Sequence, residues 1–207
     1  MYNKRDTMEN KRDINLDFFR GSAIILMIID HTLVFFTSIK FYNSFFDIIR
    51  ETLTRYSMPL FMIISGLLLA KHGISIKRWL QVFLLSVFLN IIIYFYWKNF
   101  NFPEILLIWS FITIFSKILI KFPIFILISG LIQYQYFPIN YQAYQPGIIV
   151  LFLSIGIISS NRILHGELLD NFVNLKIFKP IVLIGKYPLS IYFIHIIFLI
   201  LILNLFF

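Results

Sequence analysis

Arg20 and His31 stand eleven positions apart in a stretch that opens Leu16-Asp17-Phe18-Phe19-Arg20-Gly21 and runs, almost wholly apolar, to Ile29-Asp30-His31. At about 100° per residue, eleven steps make about three whole turns, so the two side chains share a helix face with His31 roughly 16 Å further along. If Arg20 marks a membrane surface, His31 falls near the bilayer midplane. A titratable imidazole is costly there, and it suggests function. Asp17 precedes Arg20 by one turn and can pair with it. Asp30 is a second carboxylate beside His31. Its direction differs by about 100°, so it cannot orient the imidazole from the same face and can face another helix. A plain structural reading also fits: an arginine snorkelling to the inner surface, and a histidine hydrogen-bonded between helices.

Two further patches carry polar groups into apolar runs. The first is Arg55-Tyr56-Ser57-Met58-Pro59-Leu60-Phe61, followed by Ser65-Gly66. Pro59 fits the first turn of a helix, and Ser65 and Gly66 are small enough to let helix backbones approach. The second is Gly185-Lys186-Tyr187-Pro188-Leu189-Ser190-Ile191-Tyr192, ending on His195. Pro188 again opens a helix, Ser190 lies near its start, and His195 is a second imidazole within a span. Packing alone accounts for either patch as well as chemistry does.

These residues must be held by helices in lipid. Of the 207 residues, 59% are hydrophobic and 14% charged, with a mean hydropathy of +0.85. A soluble domain carries about 25% charged residues. The expected fold is therefore all-α: one polytopic helical bundle over residues 1–207, with residues 1–13 a polar, mobile N-terminus. Apolar runs predict about seven transmembrane helices, over 21–39, 57–71, 79–97, 104–117, 122–137, 147–163 and 187–207, several of them shorter than the roughly 20 residues of a full span. A pass along 175–185 can be half-buried. The first span carries Asp30 and His31 and reads as a membrane helix rather than a cleaved leader. There is no cysteine, so disulfides, cysteine-ligated zinc and a cysteine nucleophile are excluded.

With the N-terminus inside, 14 of the 18 Lys and Arg fall on the inner side; Lys40, Arg50, Arg55 and Lys98 fall outside. The positive-inside rule selects this orientation, with a cytoplasmic N-terminus and an external C-terminus. It also explains the net charge of +8 as basic loops facing an anionic leaflet, with no nucleic-acid partner. Trp79 at the inner edge and Tyr94, Tyr96 and Trp97 at the outer edge read as interfacial anchors, and so do Tyr134, Tyr136, Tyr141 and Tyr144, which could alternatively stack on sugars.

The three patches together, in this order, resemble the acyltransferase-3 family. The Arg20–His31 stretch is similar to its opening motif, Arg55 with Pro59-Leu60-Phe61 and Ser65-Gly66 to its second, and Gly185 to His195 to its closing helix. They cover about a fifth of the chain, and the middle from about 80 to 175 carries none. Related acetyltransferases of the heparan-glucosaminide N-acetyltransferase type and the pilin-acetylating type share the theme, and the Asp30-His31 pair resembles the latter. The resemblance implies transfer of an acyl group, usually acetyl from acetyl-CoA, to a hydroxyl or amine of a cell-envelope glycan or glycolipid at the inner (plasma) membrane. It makes His31 the catalytic imidazole, accompanied by Asp30 and His195, and puts Arg20 in the donor site. Lys77 and Arg78 join Arg20 there, because acyl-CoA is polyanionic and cytoplasmic, with Lys71 on the same side, and Asp17 joins as the partner of Arg20. Arg55, Ser65, Ser190 and Tyr192 are the expected substrate-binding residues. No metal is expected, and a homo-oligomer is compatible with the pattern.

The contrasting expectation is a small carrier or lipid-handling protein, with Asp30, His31, Asn90 and His195 as a polar track. A carrier needs neither the Arg20–His31 spacing nor the inner basic cluster, and no inverted repeat is visible.

Overall fold

A computed structural model describes residues 13–38, 44–52, 54–97, 105–136, 146–160, 173 and 175–206. Among these residues there are only helices and turns. The helices are α1 (Ile14–Ser38), α2 (Ser44–Thr52), α3 (Ser57–His72), α4 (Ile76–Trp97), α5 (Ile105–Thr113), α6 (Ser116–Lys121), α7 (Pro123–Tyr136), α8 (Pro146–Ser159), α9 (Lys179–Lys186) and α10 (Pro188–Phe206). Short 3-10 turns, Thr54–Tyr56 and Lys176–Phe178, lead into α3 and α9.

Local chemistry sets the ends. Asp13 Oδ1 accepts from the backbone N–H of Asn15 and of Leu16, which caps α1. Ser75 Oγ accepts from the N–H of Arg78 and starts α4. Pro123, Pro146 and Pro188 open their helices where no amide donor is lost. Gly73 ends α3 with φ +63°, its N–H bonded to the Leu69 carbonyl.

Each expected span has a helix, with one difference. The run expected over 104–117 breaks at Ile114–Phe115 into α5 and α6. Ser110 Oγ donates to the Leu107 carbonyl, and Thr113 Oγ1 to the carbonyls of Trp109 and Ser110. Hydroxyls that bond back to the helix in this way compete with its ladder and loosen its end. The expected pass over 175–185 becomes the turn Lys176–Phe178 and α9, bent by 84° from α10. Among the described residues one helix, Ile76–Phe95, is both long and apolar enough to cross a membrane; Ser57–His72 and Pro146–Ser159 are shorter apolar helices. α1 is 25 residues long, but Asp17, Arg20 and Asp30 interrupt its apolar run. Large apolar side chains cover the outside, among them Leu84 and Phe88 on α4 and Phe125 and Ile128 on α7.

The helices alternate in direction. Asp13 pairs with Lys71, and Leu16 packs with Ile64 and Leu67, so α1 and α3 run antiparallel. Trp79 Nε1 donates to the Ser110 carbonyl at 2.8 Å while Leu89 packs with Leu106, so α4 and α5 are antiparallel. Gly147 lies against Gly130 and Tyr134, and Gly130 against Leu151, so α7 and α8 are antiparallel. α3 and α8 run in parallel, with Met58 by Ile149 and Leu69 by Ile157. α1 and α10 also run in parallel, with Met27 by Tyr192 and His31 by His195. Thus α1, α4, α7 and α10 point one way, and α3, α5 and α8 the other.

Four glycines bring these helices together. A side chain at Gly66 would meet the Leu153 carbonyl of α8, and one at Gly156 the Ile63 carbonyl of α3. One at Gly21 would meet the Ile181 carbonyl of α9, and one at Gly185 the Asp17 carbonyl of α1. Where lipid surrounds a bundle, such close backbone approach supplies the helix association that burial from water supplies elsewhere.

Candidate active site

α1 and α10 run side by side, and each carries one imidazole inward. His31 Nδ1 lies 2.8 Å from His195 Nε2. The rings are near parallel, 15° apart with centroids 5.1 Å apart. Tyr192 sits one turn before His195 and meets both rings edge-on, at 6.1 Å from His31 and 5.2 Å from His195. Beneath them Met27, Leu89, Leu106 and Tyr192 form a buried apolar layer that joins α1, α4, α5 and α10. The two other side-chain hydroxyls on this part of α1 are satisfied locally: Ser22 Oγ donates to the Phe18 carbonyl and Thr32 Oγ1 to the Ile28 carbonyl.

The four ring nitrogens are not equivalent. The inner pair, Nδ1 of His31 and Nε2 of His195, share one hydrogen bond. His195 Nδ1 is buried and makes no well-aligned hydrogen bond to a described residue, with the carbonyls of Ile191 and Tyr192 beside its ring. His31 Nε2 has no hydrogen bond to a described residue and is not sealed in the way His195 Nδ1 is. If Nε2 of His31 is bare and able to accept a proton, neutral imidazole carries its hydrogen on Nδ1, which then donates to His195 Nε2. Such a pair is a base with an orienting partner, the arrangement that activates a nucleophile in other folds.

The two acidic residues of α1 are both paired. Arg20 Nη1 donates to Asp17 Oδ1 at 3.0 Å, the pairing their one-turn spacing predicts; Asp17 is 1% exposed and Arg20 13%. α9 covers this pair, with Gly185 on the Asp17 backbone. Asp30 turns away from the His31 face to α2, where Arg50 Nε donates to its Oδ1 at 3.4 Å.

The family model described as an acyltransferase domain matches residues 13–116, just over half of the chain. The chain belongs to the acyltransferase-3 family. No curated protein and no solved structure matches it significantly. The family match takes in Asp17, Arg20, Asp30, His31, Arg55, Ser65, Lys77 and Arg78, and stops short of Ser190, Tyr192 and His195. The fold supplies what the match omits, because α10 places His195 and Tyr192 against His31 from outside the matched segment.

The other expected site residues are dispersed. Lys77 and Arg78 are exposed at the start of α4, beyond the turn that follows Lys71. Arg55 is exposed on the turn Thr54–Tyr56, which packs on α1 and α2. Ser65 is half-buried on α3 beside the Gly66 crossing. Ser190 points away from the imidazoles into a groove of about 350 Å³ between α4 and α10, lined by Gln81, Leu85, Leu189, Ser190, Phe193 and Ile194. Two relationships escape a reading of the sequence alone. One is that His31 and His195 form a single unit. The other is Arg50, which counts in the sequence as one more outer-loop charge; the amphipathic pattern of Ser44-Phe45-Phe46-Asp47-Ile48-Ile49-Arg50 was the signal for the helix that aims it at Asp30.

Proposed function

We propose that this acyltransferase is an integral membrane enzyme that moves an acyl group, acetyl by preference, from cytoplasmic acyl-CoA to a hydroxyl or amine of a cell-envelope glycan or glycolipid. The observation that carries the reading is the 2.8 Å approach of His31 Nδ1 to His195 Nε2. In the reaction the acceptor O–H or N–H gives its proton to His31 Nε2 as its oxygen or nitrogen attacks the thioester carbonyl. The C–S bond of the tetrahedral intermediate then breaks, and His31 returns the proton to the leaving CoA thiolate. His195 holds His31 in the tautomer that leaves Nε2 bare, and it can take up the Nδ1 proton while His31 is charged. Tyr192 and the apolar layer of Met27, Leu89 and Leu106 wall the pair off from water on one side.

Seven membrane passes with a cytoplasmic N-terminus fit the alternation of α1, α3, α4, α5, α7, α8 and α10. The end of the bundle where Asp13 meets Lys71 also carries Arg20, Lys77, Arg78 and Lys186, while Arg50 and Arg55 lie toward the other end. A basic inner face of this kind suits the phosphates of CoA. Lys77 and Arg78 are exposed on it, as are Lys71 and Lys186, and Arg20, held by Asp17, stands on the His31 face of α1. A thioester that enters from this end reaches His31 after roughly 16 Å, the rise of α1 from Arg20.

The test is release of free CoA thiol from acetyl-CoA by the purified protein in lipid nanodiscs, with glucosamine and methyl glucoside as amine and hydroxyl probes. Product carrying a new amide or ester supports the reading and distinguishes N- from O-transfer. An intact donor after exposure to both probes and to cell-envelope extract would favour the carrier.

A further inference from the structure

α4 and α10 meet through Leu89 and Tyr192 in the buried apolar layer, and through Phe88 and Phe193, whose ring centroids lie 6.0 Å apart. Nearer their starts they leave between them the groove of about 350 Å³ that holds Gln81 and Ser190. Ligand sites run from roughly 300 to 1,000 Å³. Leu189 and Phe193 form the inner wall of the groove and pack in turn on the layer of Met27, Leu89, Leu106 and Tyr192. An occupant therefore lies a side-chain layer away from the imidazole pair, not on it.

The two walls change character in step. Lys77, Gln81 and Leu85 follow at intervals of four along α4, so they form one stripe, each about 6 Å further on. Arg78 stands about 60° from Gln81 around the same axis. Lys77, Arg78 and Gln81 are exposed, and neither cation pairs with a carboxylate among the described residues. On α10, which runs the same way, exposed Ser190 is followed one turn on by exposed Ile194. The order along the groove is thus two cations, then an amide and a hydroxyl, then leucine, phenylalanine and isoleucine.

A glycerophospholipid carries the matching groups in the same order: a phosphate, ester carbonyls and a hydrocarbon chain. Lys and Arg at a membrane surface attract an anionic headgroup. The amide of Gln81 and the hydroxyl of Ser190 can each donate to an ester carbonyl. A chain laid in the groove gains close contacts that a flat helix face does not offer. Interfacial anchoring explains each polar residue singly, but not the cleft between them.

We propose that the groove between α4 and α10 is a binding site for one anionic glycerophospholipid, its phosphate at Lys77 and Arg78, its ester carbonyls at Gln81 and Ser190, and one chain against Leu85, Phe193 and Ile194. The site rests on the membrane placement of the bundle and not on acyl transfer. Because Lys77 and Arg78 also stand in the proposed donor site, lipid binding is read without acyl-CoA.

The experiment is native mass spectrometry of the full chain in detergent, titrated with phosphatidylglycerol or with phosphatidylcholine of the same chains. One phosphatidylglycerol should stay bound at activation energies that strip phosphatidylcholine. Lys77→Gln with Arg78→Gln should weaken phosphatidylglycerol roughly 30-fold and leave phosphatidylcholine unchanged. Leu85→Trp, which fills the groove, should abolish retention. Leu84→Trp puts the same bulk on an exposed position of α4 outside the groove and should keep it. Added phosphatidylglycerol should raise the melting temperature of wild type and of Leu84→Trp, but not that of Leu85→Trp. A second measurement needs no variant: phosphatidylglycerol with a diazirine in one chain, photolysed on wild-type protein in nanodiscs. Its label should fall on Leu85, Phe193 and Ile194 rather than on Phe125 and Ile128 of α7, which are also exposed. Equal labelling of the two faces, equal retention of the two lipids, or undiminished retention in Leu85→Trp overturns the proposal and makes the groove ordinary lipid-facing surface. Retention without any CoA release from acetyl-CoA leaves the lipid site standing while the enzyme reading fails; CoA release without retention does the reverse.

Discussion

Nδ1 of His31 and Nε2 of His195 lie 2.8 Å apart although 164 positions separate the two residues along the chain. A hydrogen bond between two imidazoles needs one bare nitrogen and one N–H, so each ring constrains the tautomer of the other. A residue that merely filled space between α1 and α10 would need no such match.

The two histidines should therefore behave as one unit. His195→Ala should lower kcat with little change in KM for acyl-CoA, because it removes the partner that orients the base and leaves the donor site alone. The double variant with His31→Ala should be no slower than His31→Ala by itself, since groups acting together are strongly non-additive. Steady-state kinetics on the four proteins checks this. Multiplicative losses would separate the two roles.

Arg20 pairs with Asp17 and is proposed for the donor site, and the two roles can be told apart. Arg20→Ala removes the guanidinium that meets the 1%-exposed carboxylate of Asp17. Breaking a buried pair in this way costs about 3–5 kcal/mol. The paired change Arg20→Gln with Asp17→Asn should recover most of the thermal stability and none of the acyl-CoA affinity. Melting curves and acyl-CoA titrations on the same preparations measure the two. Full affinity in the paired variant would take Arg20 out of the donor site.

Gly185 and Gly21 should tolerate no side chain. Each faces a backbone carbonyl of the other helix at the α1–α9 crossing, Asp17 and Ile181 respectively, and carbonyls cannot step aside as side chains do. Overpacking costs about 1–3 kcal/mol. Gly185→Ala should lower thermal stability by about that much and loosen the Asp17–Arg20 pair beneath it. Gly73→Ala removes no such contact, because open space surrounds Gly73, but its φ of +63° strains any side chain. Its smaller loss should leave acyl-CoA binding unchanged.

Much of this was legible in the chain. Long apolar runs marked where helices lie, though α1 begins at Ile14 rather than 21 and the run over 104–117 is two helices, and the one-turn spacing of Asp17 and Arg20 marked their pairing. Periodicity along α1 also showed that Asp30 cannot share the face of His31. What periodicity leaves open is any relation between distant elements. It leaves two interior imidazoles as two isolated candidates until α10 is laid beside α1. Arg50 was hidden for a related reason: a nine-residue amphipathic helix between two spans looks like loop, and its charge like a topology signal. The break at Ile114–Phe115 was missed because hydropathy is blind to hydroxyls bonding back to the helix backbone.

The proposed orientation rests on the placement of the basic residues and can be measured directly. Reporter fusions should place the N-terminus in the cytoplasm and the C-terminus outside, as the seven proposed passes require. A cytoplasmic C-terminus would mean that one of α3, α5, α7 or α8, all shorter than a full span, does not cross.

The central claim is that His31 is the base for acyl transfer, and its most direct test is CoA release by wild type and His31→Ala, with thermal stability measured on the same samples. A positioned base contributes about 10²–10⁴-fold in rate. The account requires that His31→Ala lose turnover on that scale while melting and acyl-CoA binding stay close to wild type. Undiminished turnover in His31→Ala, or a loss of activity that only tracks a loss of fold, would contradict it.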